Sequence, residues 1–393
     1  MNFKRRLLLS AFLFLLEGPS LFAMGSHPPL SESQELRIAV LEGEKNVRLQ
    51  VAGPYEIRQI HTDGLLKEGR NLEAVVTPTA EGLLLGEESL KIYGIRVIPK
   101  REASLSLEGR RFRGIVDILR QSDMTLLVVN HIDIEKYLYG VLPHEVPRAW
   151  PDKMLEIQAI LARSYALFKK MEHRKDDYDL TATVLSQRYG GREEEQRRTQ
   201  RAVDQTAGKV VTYQGTLFPT FYHSTCGGYT EDAVVANLWK RKLAPLGGVR
   251  CSYCDRSPFY RWERSFSLED IAFRLRKSGR SVPPIHHLRV EGRTASGRAK
   301  TIIIEHEKGE TAIPATEFRL AISPMELRSI KFDLTVKEGR VFFKGYGWGH
   351  GAGLCQWGAL GMVDRGFSVE EIISFYYPGS EIRELPNIPW NGP

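Results

Sequence analysis

The stretch with the clearest chemical character is YGVLPHEVPRAWP at residues 139–151, where Glu145 stands among Pro143, Pro147 and Pro151. Proline fixes φ and has no backbone N–H to donate, so a stiff turn is expected here rather than a helix or strand. A carboxyl group on a stiff loop is suited to general acid–base catalysis. The alternative is that Glu145 is an ordinary solvated loop acid.

A second set of residues has the spacing of metal ligands. His223 and Cys226, and then Cys251 and Cys254, are pairs with two-residue gaps, separated by 24 residues. Four such ligands are typical of a tetrahedral Zn²⁺ site, which would be structural because the protein fills every position. A disulfide or free thiols are the alternatives. The fourth cysteine, Cys355, is expected to behave as a small buried apolar side chain.

A third segment, GYGWGHGAGLCQWGALG at residues 345–361, has seven glycines among 17 residues. It also carries Trp348, His350, Gln356 and Trp357. It fits neither a phosphate-binding loop nor a dinucleotide-binding turn. Aromatic rings beside polar side chains favour a groove for a sugar polymer, whose C–H faces pack on rings. A glycine-rich structural turn around buried tryptophans is the alternative.

Both strands and helices are expected to position these residues. From residue 35 to about 128, short alternating or β-branched runs with Gly, Asn or Pro breaks predict a mainly β region. Helical patterns occur at 151–173, 193–208 and 268–277, with a helical turn at 131–140. The expected fold class is therefore α+β, a β-rich body with a central helix after the Pro-rich loop.

Composition narrows the class of protein. With 42% hydrophobic and 26% charged residues, the chain of 393 residues resembles a folded soluble protein. The 55 Lys and Arg against 48 Asp and Glu give a formal charge of +7, which suits cell-wall glycan, nucleic acid or a membrane surface equally well. No Ser-His-Asp elbow, HExxH or EF-hand pattern occurs, so the sequence does not favour a serine hydrolase, a zincin or a calcium-binding protein.

The N-terminus has the features of an export signal. Three basic residues at 4–6 precede an apolar run of ten residues, which is too short to span a bilayer. We therefore expect a periplasmic or cell-envelope protein, with an uncleaved membrane anchor as the alternative. The predicted segments are a signal peptide at 1–24, a linker at 25–34, an N-terminal β-rich region at 35–114, a main domain at 115–385 with a candidate insertion at 255–340, and a tail at 386–393.

Four blocks, taken in order, resemble the SpoIID/LytB family of exported cell-wall proteins. They are VLPHEVPRAWP…EIQAILARSYAL, DLTATVLSQRYGG, FYHSTCGGYTED and GYGWGHGAGLCQWGALGM…FYYPGSEI, and they span roughly residues 115–385. The resemblance implies a lytic transglycosylase that cleaves the MurNAc–GlcNAc bond of peptidoglycan strands stripped of stem peptides. Other members enhance a cell-wall amidase, so a non-catalytic glycan-binding enhancer is the alternative. Glycan strands and an amidase are the expected partners, and nucleic acid is not.

The resemblance also assigns roles to residues. The family's catalytic acid corresponds to Glu145, and zinc held by Cys and His occurs in the family. The metal ligands inferred from spacing are His223, Cys226, Cys251 and Cys254. The candidate substrate-binding residues are Arg163, Gln187, Tyr189, Trp348, His350 and Gln356.

One acid is enough for the implied reaction. Ordinary glycosidases use two carboxylates. A lytic transglycosylase first protonates the glycosidic oxygen and then removes the C6 hydroxyl proton of the same muramic acid, which closes a 1,6-anhydro ring. A raised pKa suits a carboxyl group with both tasks. A muramidase that adds water with the help of a second carboxylate is a third interpretation.

Overall fold

The computed structural model describes residues 34–183 and 186–385. The predicted signal peptide, nearly all of the predicted linker and the predicted tail lie outside these residues. The chain begins with ten strands, β1 to β10, at Glu35–Glu44, Val47–Gln59, Leu65–Thr79, Gly82–Leu85, Glu88–Leu90, Gly94–Pro99, Ser104–Leu107, Arg110–Phe112, Ile115–Arg120 and Leu126–Asp133.

These strands and β11 (Leu180–Thr181) form one sheet in the order β11-β1-β10-β9-β6-β2-β3-β4-β5, with β7 on β2 and β8 on β7. Alternate residues such as Leu36 and Ile38 are fully buried on one face, as strand periodicity predicts. The predicted domain boundary after residue 114 falls inside this sheet, because β9 pairs with β6. Residues on both sides of that boundary therefore share one hydrogen-bonded layer.

Helix α1 (Ile134–Glu145) follows β10 directly. Its N-terminus is capped by Asp133, whose carboxylate accepts hydrogen bonds from the backbone of Glu135 at 3.1 Å and of Lys136 at 3.2 Å. Pro143 lies inside the last turn, where the loss of a single backbone hydrogen bond is tolerated near a helix end. The predicted Pro-rich loop is therefore shorter than expected, and Glu145 is the last helical residue rather than a loop residue.

Helix α2 (Asp152–Glu172) is the central helix of the fold. Apart from half-buried Glu156, every residue from Met154 to Leu167 is buried, so packing surrounds the helix. Its neighbours include α1, α3 (Arg197–Gln205) and β12 (Lys209–Tyr213). The helical pattern at 151–173 did not by itself indicate this degree of burial, and α3 is shorter than the helix expected at 193–208.

The remaining elements complete a mixed architecture, so the predicted α+β class is confirmed. In chain order they are β13 (Thr216–Leu217), β14 (Tyr222–His223), β15 (Arg261–Ser267), α4 (Leu268–Lys277), β16 (Ile285–Arg293), β17 (Ala299–His306), β18 (Gly309–Pro314), α5 (Ala315–Ile322), β19 (Phe332–Lys337), β20 (Arg340–Tyr346), β21 (Leu354–Cys355), α6 (Gln356–Val363), α7 (Val369–Tyr376) and β22 (Glu381–Glu384).

Residues 261–346 have a hydrophobic core of their own. Two three-stranded sheets, β15-β20-β19 and β16-β17-β18, pack with α4 and α5 around Phe318, Phe332 and Phe343. This core covers the segment that the sequence marks as a candidate insertion. Among the helices that the structure describes, none combines the length and the apolar character needed to cross a bilayer.

Candidate active site and cysteine cluster

Glu145 lies where three parts of the chain meet. Its carboxyl group accepts hydrogen bonds from the backbone N–H of Arg188, in the loop after β11, and from the hydroxyl of Tyr222 on β14. Its backbone carbonyl accepts a hydrogen bond from Nε2 of Gln356 at 3.0 Å. The glycine-rich segment that the sequence marks as a groove therefore contacts the candidate catalytic residue directly.

The environment of Glu145 favours its protonated form. Burial raises the pKa of Glu145 to about 7, while the hydrogen bonds from the Arg188 N–H and the Tyr222 hydroxyl oppose the shift. The residue as a whole is half-buried, so part of it remains accessible. The negative end of the α1 dipole acts in the same direction as burial. None of the groups that set this pKa is another carboxylate, and at neutral pH both protonation states are populated.

A chain of buried polar groups holds Tyr222. Gln187 is 1% exposed and donates from Nε2 to the Tyr222 hydroxyl oxygen at 3.1 Å and to the Ala162 carbonyl at 3.2 Å. The Tyr137 hydroxyl donates to Oε1 of Gln187 at 3.2 Å. Because Gln187 donates to the Tyr222 oxygen, the phenol proton is available to Glu145. Gln187 thus acts through Tyr222 instead of facing a ligand.

His350 and Gln356 fasten the glycine-rich segment beside the carboxyl group. Nδ1 of His350 accepts the N–H of Ala352 at 3.1 Å, which leaves Nε2 to donate to the Tyr222 carbonyl at 3.0 Å. Burial lowers the pKa of His350 to about 4, so the ring is neutral at physiological pH. Gln356 also donates to Oε1 of Gln158 at 3.2 Å. Tyr222 and Gln158 are site residues that the sequence interpretation missed.

Two predicted substrate-binding residues lie in the core instead. Arg163 is fully buried, pairs with both carboxylate oxygens of Glu135 at 2.8 and 2.6 Å, and donates to the Lys209 carbonyl at 3.0 Å. Tyr189 is 2% exposed, and its hydroxyl donates to Oδ1 of Asn130 at 3.3 Å. Both side chains are enclosed and hydrogen-bonded within the protein, so they help to hold the core together in this structure.

Three tryptophans of the predicted site regions lie in two separate aromatic clusters. Half-buried Trp348 packs edge-to-face on Phe259, with ring centroids 4.5 Å apart, and the Arg328 guanidinium lies 5.4 Å from its ring. Trp150 and Trp357 form a second edge-to-face pair at 5.3 Å. Trp357 directly follows Gln356, whose side chain donates to the Glu145 carbonyl, whereas Trp348 belongs to a cluster with Phe259 and Arg328.

The four cysteines form one buried cluster. The Sγ atoms of Cys226, Cys251, Cys254 and Cys355 all lie within 4.8 Å of one another, and all four cysteines are free. Sγ of Cys226 is 3.5 Å from Sγ of Cys254, well beyond the roughly 2.05 Å of a disulfide bond. The fourth member of the cluster is thus Cys355, whereas the prediction from spacing placed His223 there and gave Cys355 an apolar role.

His223 is adjacent to the cluster but outside it. Strands β14 and β21 pair in parallel with His223 opposite Cys355. His223 donates from Nδ1 to the Ala352 carbonyl at 3.1 Å, and its buried Nε2 has no partner in the part of the chain that the structure describes. Spacing could not find Cys355, because only this strand pairing brings it to the other cysteines. The even number of cysteines was the available signal.

A buried arginine connects the cluster to the residues before β17. Arg298 is fully buried and donates to the carbonyls of Cys226 and Tyr229, both at 3.0 Å, and to the Ser296 hydroxyl at 2.8 Å. A Cβ on Gly351 would come within 2.3 Å of the Arg298 guanidinium, and Gly351 has a φ of +92°. The segment that precedes Cys355 and Gln356 therefore requires glycine at position 351.

Comparison with known sequences agrees with this arrangement. The family model described as stage II sporulation protein (SpoIID) matches residues 122–213, which include Glu145, and a domain of unknown function (DUF8618) matches residues 250–353. An uncharacterized protein of Brachyspira hyodysenteriae is 28% identical over 349 residues, covering 88% of this chain and 92% of that protein.

The names of two further relatives indicate an amidase enhancer and a sporulation protein. The amidase enhancer of Bacillus subtilis is 27% identical over 76% of this chain, which matches only 48% of that protein's length. Stage II sporulation protein D of Bacillus amyloliquefaciens is 26% identical over 70% of this chain and 83% of that protein. These matches support the resemblance to the SpoIID/LytB family, and with it a role related to the bacterial cell wall.

Proposed function

We propose that the protein is an exported lytic transglycosylase that cleaves the MurNAc–GlcNAc bond of peptidoglycan strands lacking stem peptides. The observation that supports this most strongly is the enclosed carboxyl group of Glu145, whose pKa burial raises to about 7. The choice of peptidoglycan as the polymer rests on the resemblance to the family, and the expectation of export rests on the basic and then apolar N-terminal sequence.

Glu145 carries both proton transfers in the proposed reaction. In its protonated form it gives its proton to the glycosidic oxygen as the bond from that oxygen to C1 of MurNAc breaks. The resulting carboxylate takes the proton of the C6 hydroxyl as that oxygen bonds to C1, which closes the 1,6-anhydro ring. The acid is regenerated without water. The hydrogen bonds from Tyr222 and the Arg188 N–H stabilise the carboxylate between the two steps.

Glu145→Gln tests this assignment. Incubation of the variant with denuded glycan strands should give about 10³-fold less 1,6-anhydro product than the native protein, measured by mass spectrometry. Glu194→Gln is the matched control, because Glu194 is a neighbouring acid whose side chain is 48% exposed. Undiminished anhydro product from Glu145→Gln would exclude Glu145 as the acid. Products with reducing ends would identify a muramidase instead.

A non-catalytic enhancer of a cell-wall amidase is the second candidate function. The resemblance to a protein named amidase enhancer favours it. A non-catalytic function does not explain the raised pKa of Glu145, so we place the enhancer second. Purified protein alone either releases fragments from sacculi or only binds them, and the second result would favour the enhancer.

We propose further that Cys226, Cys251, Cys254 and Cys355 hold a structural Zn²⁺. Tetrahedral zinc with thiolate bonds of about 2.3 Å places its sulfurs about 3.8 Å apart, which fits four Sγ atoms within 4.8 Å of one another. The backbone N–H groups of Cys226 and Gly358 donate to Sγ of Cys355 at 3.2 and 3.3 Å, as metal-bound thiolates require. The ion would stabilise the fold and take no part in proton transfer.

A further inference from the structure

A groove lies over one face of the large sheet, away from the site of Glu145. Its volume is about 630 Å³, and it crosses strands β1, β10, β9, β6 and β2 beneath the loop that follows α2. None of the residues that line the groove belongs to the site of Glu145, and helix α1, about 18 Å long, runs from the end of β10 to Glu145. The groove is therefore not part of the carboxyl site.

The charged side chains of the groove floor mostly neutralise one another. Arg96 donates from Nε and Nη2 to Asp117 at 2.7 and 2.8 Å, and His131 lies 2.8 Å from the same carboxylate. Arg37 is paired with Asp179 at 2.6 Å. A ligand with a strong net charge would find few unpaired opposite charges here, so the floor is a rigid, nearly neutral support.

The hydrogen-bonding groups left over are few and of mixed type. Nη1 of Arg96, the Gln59 amide, the Tyr93 hydroxyl and the Asp177 carboxylate line the groove without a hydrogen-bond partner among the residues that the structure describes. They provide both donors and acceptors at several points around one space. Such a set suits a ligand whose own groups both donate and accept, as hydroxyl and acetamido groups do.

The groove also has an aromatic wall and an apolar base. Tyr93 is 47% exposed, and its ring meets His61 edge-on with centroids 6.0 Å apart. Ile60 and Leu119 form an apolar base that is continuous with a small hydrophobic cluster. An aromatic ring beside convergent polar groups is typical of the lining of a ligand site.

We propose that this groove binds an N-acetylhexosamine unit of a glycan strand, as a second sugar site remote from Glu145. A sugar ring would pack its C–H face on Tyr93 and exchange hydrogen bonds with Arg96, Gln59 and Asp177. The choice of glycan rests on the proposed function, while the groove itself does not. Two sites on one strand would bind long glycans more tightly than short ones, because the second contact is intramolecular.

The test uses a tetrasaccharide of N-acetylglucosamine and full-length Glu145→Gln protein, so that cleavage cannot remove the ligand. We expect the tetrasaccharide to slow amide hydrogen exchange in residues 59–64 and 173–178. Tyr93→Ala should weaken this binding about tenfold. Phe342→Ala is the matched control, because Phe342 is 43% exposed and lies on β20. Both side chains are exposed, so neither variant removes core packing.

Three results would overturn the proposal. The first is the absence of protection in these segments, and the second is equal affinity of the Tyr93→Ala variant and the protein that keeps Tyr93. The third is protection of the same segments by a free stem peptide and none by the sugar, which would make the groove a peptide site. Activity retained by Glu145→Gln would refute the catalytic role of Glu145 but leave the effect of Tyr93→Ala intact, so the two hypotheses fail separately.

Discussion

The carboxyl site and the cysteine cluster meet at two consecutive residues and differ in almost every other respect. Cys355 ends β21 and joins the sulfur cluster, whereas Gln356 begins α6 and donates to the carbonyl of Glu145. The cluster is completely buried, while Glu145 is half-buried and has a pKa of about 7. A closed, rigid cluster thus supports one side of the site at which we propose proton transfer.

The largest expected effect comes from substituting one cysteine of the buried cluster. Cys355→Ser should prevent binding of the proposed zinc and lower the free energy of unfolding by about 3 kcal/mol or more, because a structural metal would contribute its binding energy to folding. His223→Gln is the matched variant and should retain one zinc per chain. Metal analysis and thermal denaturation of the two proteins measure this difference. Zinc lost from His223→Gln and kept by Cys355→Ser would restore the ligand set predicted from spacing.

A smaller effect is expected on the proton-transfer side. Tyr222→Phe removes a hydrogen bond that stabilises the Glu145 carboxylate, so the pKa of Glu145 should rise further, by about one unit. The pH profile of kcat/KM for anhydro-product formation would then shift to higher pH. Tyr165→Phe is the control, because Tyr165 packs on Phe221 and is 8% exposed. An unchanged profile for Tyr222→Phe would mean that this phenol does not act on Glu145.

A further effect is expected on the free energy of unfolding. The folded protein holds the pKa of Glu145 at about 7, above its ordinary value of 4.5, so ionisation of this group costs stability as pH rises through 7. Glu145→Gln should therefore unfold with a free energy about 2 kcal/mol higher at pH 8, and the gain should vanish near pH 4. Denaturant unfolding at the two pH values measures it.

Glu370→Gln serves as the control for the stability measurement, because Glu370 is exposed on α7. Its effect should be the same at both pH values. A Glu145→Gln variant that is no more stable than the native protein at pH 8 would indicate that the carboxyl group is better hydrated than its surroundings imply.

Local patterns predicted much of the fold and part of the site. The strands before residue 133 and helix α2 follow from alternation and helical spacing, both of which are set by neighbouring residues. Glu145, Gln187, His350 and Gln356 do come together. The extent of α1 was missed, because Pro143 suggested a loop where a final helical turn tolerates it.

The sequence by itself determined which groups are available: a lone acid among prolines, four cysteines, and a glycine-rich segment that lets backbones approach closely. Tertiary structure decided which of them are partners. It placed Cys355 rather than His223 in the sulfur cluster, enclosed Arg163 and Tyr189, and brought the Tyr222 hydroxyl to Glu145. The physical reason is that burial and strand pairing depend on residues far apart in the chain, and these set both the pKa of a carboxyl group and the neighbours of a thiol.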